Sequence, residues 1–129
     1  MIVILIIGLL ITMLLPNLIH SKYQTQWSAC VQYERNLAAS LESYHAQEKA
    51  YPTTMDVLSQ TNPAYIQTIP KCPSDGASYG YVVTPLAAAT DGYTIYCQSA
   101  AHPAGLSFVS AGYPQYNAEI GIRQKNANE

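Results

Sequence analysis

The chain has 129 residues, a formal net charge of −2 and only 11% charged residues. This length suits one small globular domain with one anchoring segment, and it is too short for two domains with ordinary cores. The weak charge excludes recruitment of nucleic acid by a basic surface, so we expect no direct nucleic-acid partner.

The first nineteen residues are almost purely aliphatic. Thirteen of them are Leu, Ile or Val, and the first formal charge is Lys22. As a helix, this stretch would be about 28 Å long, close to the hydrocarbon thickness of a bilayer. A cleaved secretory signal is less favoured, because Asn17 to Lys22 offers no small-x-small cleavage site. We therefore predict a retained apolar helix over residues 1–21, suited to a membrane or to surroundings as apolar as lipid.

Apolar residues continue at three- and four-residue steps beyond this segment. They are Tyr23, Trp27, Cys30, Val31, Leu37, Ala38, Leu41 and Tyr44. This spacing predicts an amphipathic continuation of the same helix over residues 22–50. We expect the helix to stop near Tyr51, because Pro52 disfavours helical geometry at the residue before it.

Gly8 and Pro16 are the two weak points in the inner half of this helix, since Gly costs about 1 kcal/mol and Pro about 3 kcal/mol in a helix interior. A kink or local melting between them and a simple Pro bend in an otherwise intact helix are both compatible with the sequence. A helix that reaches Ala50 would be about 75 Å long, more than twice the thickness of a bilayer, so its outer half would project.

Residues 51–129 are predicted to form an extracytoplasmic head. Tyr51–Leu58 has the composition of a turn followed by a short helix, with Thr53 or Thr54 as the N-cap. The candidate strands are Tyr79–Thr84, Tyr93–Gln98, Leu106–Ser110 and an edge strand at Glu119–Arg123, with a turn at Asp91-Gly92. We predict an α+β fold, in which the long helix packs on a small antiparallel sheet and a polar C-terminal tail follows.

Three cysteines permit three single disulfide pairings, and the sequence cannot choose among them. We favour Cys72 with Cys97, because one lies in a Pro-flanked loop and the other at the end of a strand. Cys30 lies on the apolar stripe of the helix, where a small buried thiol is common. An exported head has oxidising surroundings that favour a disulfide. Metal ligation is less favoured, since the cysteines form no CxxC pair and have no His at ligand spacing.

The remaining polar residues give little indication of chemistry. His102 could join Asp75 or Asp91 in a catalytic group, but no nucleophile motif surrounds them, so we predict neither an enzyme nor a cofactor. Asp75-Gly76 and Asp91-Gly92 could supply calcium ligands, although turn formation explains them better. The eleven tyrosines could form an adhesive surface, but such residues more often line sheets and subunit contacts.

Four segments of the sequence have a familiar pattern. The first is MIVILIIGLLITMLLPNL, an aliphatic stretch with a Gly and, eight residues later, a Pro, here Gly8 and Pro16. This stretch resembles the N-terminal helix of type IV pilins and type II secretion pseudopilins. In the head, YPTTMDVL, CPSDGASYGY and DGYTIYC resemble small pseudopilin-like members. Together these segments cover most of the chain.

The resemblance implies a mechanism of assembly. Subunits would wait in the inner membrane with their heads outside, and an ATP-driven assembly machinery would lift them into an extracellular helical filament of identical subunits. Such filaments would serve adhesion, motility or secretion. The expected filament-core residues are Ile4, Ile7, Leu10, Ile11, Leu14 and Leu15, with Gly8 and Pro16 as helix-break positions in assembly.

The sequence departs from the family pattern before Met1. Family members carry a short basic leader that ends in Gly, then a phenylalanine-type first residue and a glutamate just before the matched stretch. We therefore expect the complete gene product to begin upstream of Met1. The sequence does not separate a major pilin from a minor pilin, a competence pilin or a pseudopilin. A lone membrane-anchored binding module is a further alternative.

Overall fold

One long helix carries a small head on its second half. The computed structural model describes residues 1–84, 92–106 and 109–123. Its elements are α1 (Ile2–Glu48), α2 (Val57–Gln60), β1 (Tyr79–Thr84), β2 (Gly92–Cys97), α3 (Ala101–Gly105), β3 (Gln115–Asn117) and β4 (Gly121–Arg123). The four strands form one antiparallel sheet, so the predicted α+β class is confirmed.

Helix α1 is unbroken over its 47 residues and is therefore about 70 Å long. The helical backbone continues through Gly8 and Pro16, as in an intact helix and not a locally melted one. The helix ends two to three residues before the predicted stop at Tyr51. Lys49 adopts a left-handed conformation with φ 62°, and its N–H donates to the His45 carbonyl at 2.8 Å. The left-handed conformation at Lys49 ends the helix, so the helix does not reach the residue that Pro52 would restrict.

The second half of α1 packs against α2, α3, β2 and β3. Its buried residues are Trp27, Cys30, Val31, Glu34, Leu37, Ala38 and Leu41, and Tyr23 and Tyr44 are half-buried. The predicted apolar stripe is thus confirmed, with one addition: the acidic residue Glu34 lies on the same buried face.

The sheet presents one face to α1. Its strand order is β1-β2-β3-β4, and Tyr79 and Tyr81 of β1 pair with Cys97 and Ile95 of β2. Because side chains alternate along a strand, Tyr93, Ile95 and Cys97 share one face, and all three are fully buried. The end of β2 nearest α3 therefore points a thiol into the core.

The prediction of a strand over Leu106–Ser110 was wrong. Leu106 follows the last turn of α3 and donates its N–H to the His102 carbonyl at 2.9 Å, and Val109 and Ser110 lie outside any strand. Leu106 packs in a cluster with Trp27, so its burial results from helix docking and not from strand pairing.

The third strand is β3, which the sequence analysis did not identify. The predicted edge strand is confirmed in part by β4, because Glu119 and Ile120 belong to the preceding turn.

The short helix of the head also begins later than predicted. Asp56, and not Thr53 or Thr54, occupies the N-cap of α2, and it makes no side-chain capping bond. Gly92 starts β2, whereas Asp91, the other half of the predicted turn, lies outside the described residues.

Truncating a core side chain of α1 is expected to destabilise the head. Leu41 is fully buried among residues of the sheet and α2, so Leu41→Ala should lower the free energy of unfolding by about 2 to 5 kcal/mol. Urea unfolding followed by the fluorescence of the single tryptophan, Trp27, measures this change. The same substitution at Leu18, which is 72% exposed, should leave head stability unchanged.

Candidate functional site

The apolar side chains at the start of the chain, from Met1 to Ile19, are solvent-exposed wherever the structure describes them. All fifteen large apolar side chains between Met1 and Ile19 are exposed, from 49% at Ile11 to 104% at Met1. These fifteen include the six predicted filament-core residues. This part of α1 is long and apolar enough to cross a membrane. It therefore forms an apolar surface on all sides that water does not solvate well.

Two details of this segment suit a nonpolar environment. The Thr12 hydroxyl donates to the Leu9 carbonyl at 2.8 Å, so this polar group is satisfied within the helix. A Cβ added at Gly8 would meet no atom within 4 Å, which leaves a shallow notch on the helix surface. Such a notch lets the backbone of a neighbouring helix approach closely.

A thiol–imidazole cluster lies within the head, far along α1 from these residues. Its members are Cys30, Cys72, Cys97 and His102, all buried. Their three sulfurs and one ring nitrogen all lie within 4.8 Å of one another. The residues come from α1, the loop before β1, the end of β2 and α3, so the cluster exists only when all four elements are docked.

Neither Cys30 nor His102 was assigned to this site from the sequence. His102 follows Cys97 by five residues, and this spacing is the one local signal of the cluster. A short helix, α3, turns the chain back after β2 and places the His102 ring against Cys72. The Cys72 Sγ to His102 Nε2 distance is 3.2 Å.

Surrounding groups hold the cluster in place. The Ser74 hydroxyl lies 3.3 Å from His102 Nδ1, and the Trp27 ring meets the imidazole edge-on at a centroid distance of 5.2 Å. The Tyr79 hydroxyl donates to Cys30 Sγ at 3.2 Å. Each of these contacts restricts the orientation of one member of the cluster.

The three thiols do not have equal acidity. Hydrogen bonding from the Cys30 thiol holds the pKa of Cys97 well below its usual range, against the effect of burial, and His102 and the Ser99 amide add further hydrogen bonds. The same bond to Cys97, together with burial, raises the pKa of Cys30. Burial also raises the pKa of Cys72. A buried negative charge in the cluster is therefore best accommodated on Cys97.

The predicted disulfide between Cys72 and Cys97 is not present in the structure, in which all three cysteines are free thiols. Their sulfurs are close, so this pairing stays a prediction, and it is tested below. The sequence analysis set Cys30 aside as a buried core thiol. Its burial is confirmed, but it lies beside the other two.

Glu34 is a buried acid without a hydrogen-bond partner among the described residues. It lies one helical turn after Cys30, is fully buried, and neither carboxyl oxygen has a partner. Burial, with a smaller contribution from the charge of Cys97, raises the pKa of Glu34 to about 9. The carboxyl group is therefore protonated at neutral pH.

The structure supports a turn-forming role for Asp75. Its Oδ1 accepts the Ala77 N–H at 3.0 Å, its Oδ2 accepts the Ser99 hydroxyl at 2.9 Å, and Gly76 adopts φ 74°. Both oxygens thus have partners within the protein, and the predicted turn is confirmed at this position. Asp91 and its suggested partnership with His102 fall outside the described residues.

The tyrosines line the interior of the head. Ten of the eleven belong to or pack against two core clusters, and the eleventh, Tyr96, covers Gly80 on the neighbouring strand. Tyr93 and Tyr51 both donate to the carboxylate of Glu42, at 3.0 and 3.2 Å. The expectation that tyrosines line the sheet is confirmed for those in the strands, Tyr79, Tyr81, Tyr93, Tyr96 and Tyr116, and subunit contacts by the others stay a prediction.

A surface cavity of about 440 Å³ lies between the residues that precede α2, the loop around Pro70 and the start of β1. Its charged side chains are Asp56 and Lys71, and it contains neither His102 nor any cysteine. Comparison of the chain with known protein families, with curated proteins and with solved structures found no match.

Proposed function

We propose that the chain is a structural subunit of a type IV pilus or pilus-like filament, which assembles through its N-terminal apolar helix with the head exposed. The observation that carries the proposal is the division of α1 into two halves. Residues 22–48 are covered by the head on one face, whereas the fifteen large apolar side chains between Met1 and Ile19 are all exposed.

Lipid is the first environment that such a segment requires. Its length matches the hydrocarbon core of a bilayer, and its only polar hydroxyl, on Thr12, is satisfied internally. We infer that the subunit sits in the inner membrane before assembly. Because α1 passes unbroken from the apolar segment into the head, the head would lie on one side of the membrane, and the resemblance to pilins implies that this is the outer side.

The second environment that would suit the apolar segment is a bundle of the same helix from other copies of the chain. A helix whose backbone bonds are internal can exchange lipid neighbours for protein neighbours at little hydrophobic cost. The notch at Gly8 and the aliphatic residues around it favour close packing of such copies. In the filament, Ile4, Ile7, Leu10, Ile11, Leu14 and Leu15 would form the core and the heads the outer skin.

A lone membrane-anchored module would have the same exposed helix, so the decisive test concerns self-association. Surface material is sheared from cells, imaged by negative-stain electron microscopy and analysed by mass spectrometry. We expect fibres in which this chain is the main protein for a major pilin, or a minor component for a minor pilin or pseudopilin. Monomers in detergent together with the absence of the chain from fibres would support the lone anchor instead.

A photo-crosslinking residue at Leu14 sharpens this test. In assembled filaments it should form adducts between two copies of the chain, because Leu14 would face sister helices. Cells that lack the assembly ATPase provide the control, since the same variant would then remain dispersed in the membrane. Adducts at the same yield in both strains would argue against a contact made by filament assembly.

A further inference from the structure

We propose that Cys30, Cys72, Cys97 and His102 bind one Zn²⁺ ion, which acts as a structural cross-link between the long helix and the head. Three sulfurs and one imidazole nitrogen are a ligand set typical of structural zinc sites, and thiolate-rich sets select soft or borderline metals over calcium and magnesium. This inference is independent of filament assembly, since it concerns only the interior of the head.

The positions of the four ligand atoms fit a single small cation. Zinc binds sulfur at about 2.3 Å and nitrogen at about 2.0 to 2.1 Å in tetrahedral geometry, so the ligand atoms of a site lie about 3.4 to 3.8 Å apart. Here all four lie within 4.8 Å of one another, and Cys72 Sγ is 3.2 Å from His102 Nε2. Closing the set around a cation requires movements of about 1 Å or less.

The imidazole is already oriented for ligation. Its Nε2 points into the sulfur cluster, and Ser74 Oγ lies 3.3 Å from Nδ1 on the opposite side of the ring. With Nε2 bound to metal, the ring proton is on Nδ1 and is donated to the Ser74 hydroxyl. The edge of Trp27 fixes the plane of the ring. Outer groups that orient a ligating His in this way are a regular part of zinc sites.

The surroundings can also stabilise the charge that the site would carry. Zinc displaces the thiol protons to solvent, so three thiolates, a neutral imidazole and Zn²⁺ together have a net charge of −1. The Tyr79 hydroxyl donates to Cys30, and the amides of Ser74 and Ser99 donate to Cys72 and Cys97. Each sulfur therefore has a hydrogen-bond donor besides the metal.

The site is closed, which assigns it a structural role. Four buried side chains complete a tetrahedral set and leave no position for a reacting water. The ligands come from α1, the loop before β1, the end of β2 and α3. One ion would thus cross-link all four of these segments. A Cys72–Cys97 disulfide would connect only the loop before β1 to β2 and would leave out α1 and α3.

The first experiment measures metal and thiols on the same material. The full chain is purified in detergent without chelator or reductant, zinc is quantified per chain, and the thiols are alkylated after denaturation with chelator. We expect one zinc per chain and three alkylated cysteines. A Cys72–Cys97 disulfide with one alkylated thiol and no zinc would overturn the proposal, as would copper or iron in place of zinc.

The second experiment identifies the ligands. Replacement of zinc by Co²⁺ should give thiolate-to-cobalt charge-transfer bands and the intense visible bands of a tetrahedral site. His102→Ala should lower zinc affinity more than about 100-fold in competition with a chelator, and Tyr79→Phe, which removes only the donor to Cys30, about 10- to 100-fold. His20→Ala, at an exposed His, is the matched control and should change nothing.

Tyr79→Phe keeps the proposal testable if His102→Ala fails to fold, because it preserves the ring in the core. Wild-type affinity in both variants, or a cobalt spectrum without sulfur charge transfer, would show that the cluster does not hold the metal.

Discussion

Leu10→Asp is expected to abolish filaments while leaving the head folded. Leu10 lies in the middle of the apolar segment and is 54% exposed, so in the proposed filament lipid or other copies would surround it. A carboxylate there costs about 3 to 4 kcal/mol relative to Leu at the centre of a bilayer. In a bundle of sister helices, every subunit would add one such charge to the core, and the repulsion between them would oppose assembly.

Electron microscopy of sheared material and protease resistance of the head measure the two parts of this prediction. Ile120→Asp is a matched control, because Ile120 is 64% exposed but lies on a turn of the head. It should retain filaments. Persistence of filaments in the Leu10 variant would contradict a core built from this segment, and loss of the folded head would show that the substitution acts through stability.

Glu34 is expected to lower the stability of the head as pH rises from about 5 to 9. The lowered pKa of Cys97 acts in the opposite direction, so the effect of Glu34 is measured as a difference between the wild type and a Glu34 variant. The pKa of Glu34 is raised from 4.5 to about 9 by burial. Below pH 4.5 the carboxyl group is protonated in both the folded and the unfolded chain. Between these values the unfolded chain releases a proton that the folded chain retains, so this group lowers the free energy of unfolding by about 1.4 kcal/mol per pH unit.

Relative to the wild type, Glu34→Gln should make the slope of the unfolding free energy against pH more positive by about 1.4 kcal/mol per pH unit, since the amide has nearly the same size and does not titrate. The measurement is urea unfolding of the full chain in detergent at several pH values, with reductant and chelator present, followed by Trp27 fluorescence. Glu48→Gln, at an exposed position near the end of α1, should keep the wild-type slope. Equal slopes in the wild type and the Glu34 variant would show that Glu34 ionises without cost in the folded state.

Strong periodic patterns in the sequence predicted the largest elements correctly. The aliphatic run and the stripe from Trp27 to Leu41 extend over many helical turns, and β1 and β2 are six-residue runs rich in Tyr, Val and Ile. Local preference and tertiary packing agree in these segments, so pattern alone identifies them.

The elements that were missed are short and depend on tertiary contacts. β3 has three residues, and its pairing with β2 rather than its composition makes it a strand. α3 spans five residues including Pro103, and Leu106 after it is buried against Trp27 of α1. The segment Leu106–Ser110 was therefore predicted as a strand where the burial of Leu106 comes from helix docking.

The thiol–imidazole cluster was beyond sequence reasoning for a similar reason. Its residues are separated by 42, 25 and 5 positions along the chain. Only the docking of α1, the register that pairs Tyr79 with Cys97, and the turn into α3 bring them together. The spacing of Cys97 and His102 was visible, but it indicates a metal site only when the other two sulfurs are known to be near.

The continuity of α1 has a mechanical consequence for a filament under tension. Tension applied to the apolar segment would be transmitted along the continuous helix α1. It would reach the head where buried contacts begin, at Trp27 and Cys30. Cys30 lies about 16 Å beyond Ile19 along the helix axis. A cross-link at Cys30 would distribute this tension among the loop before β1, strand β2 and helix α3. The head would then resist separation from α1.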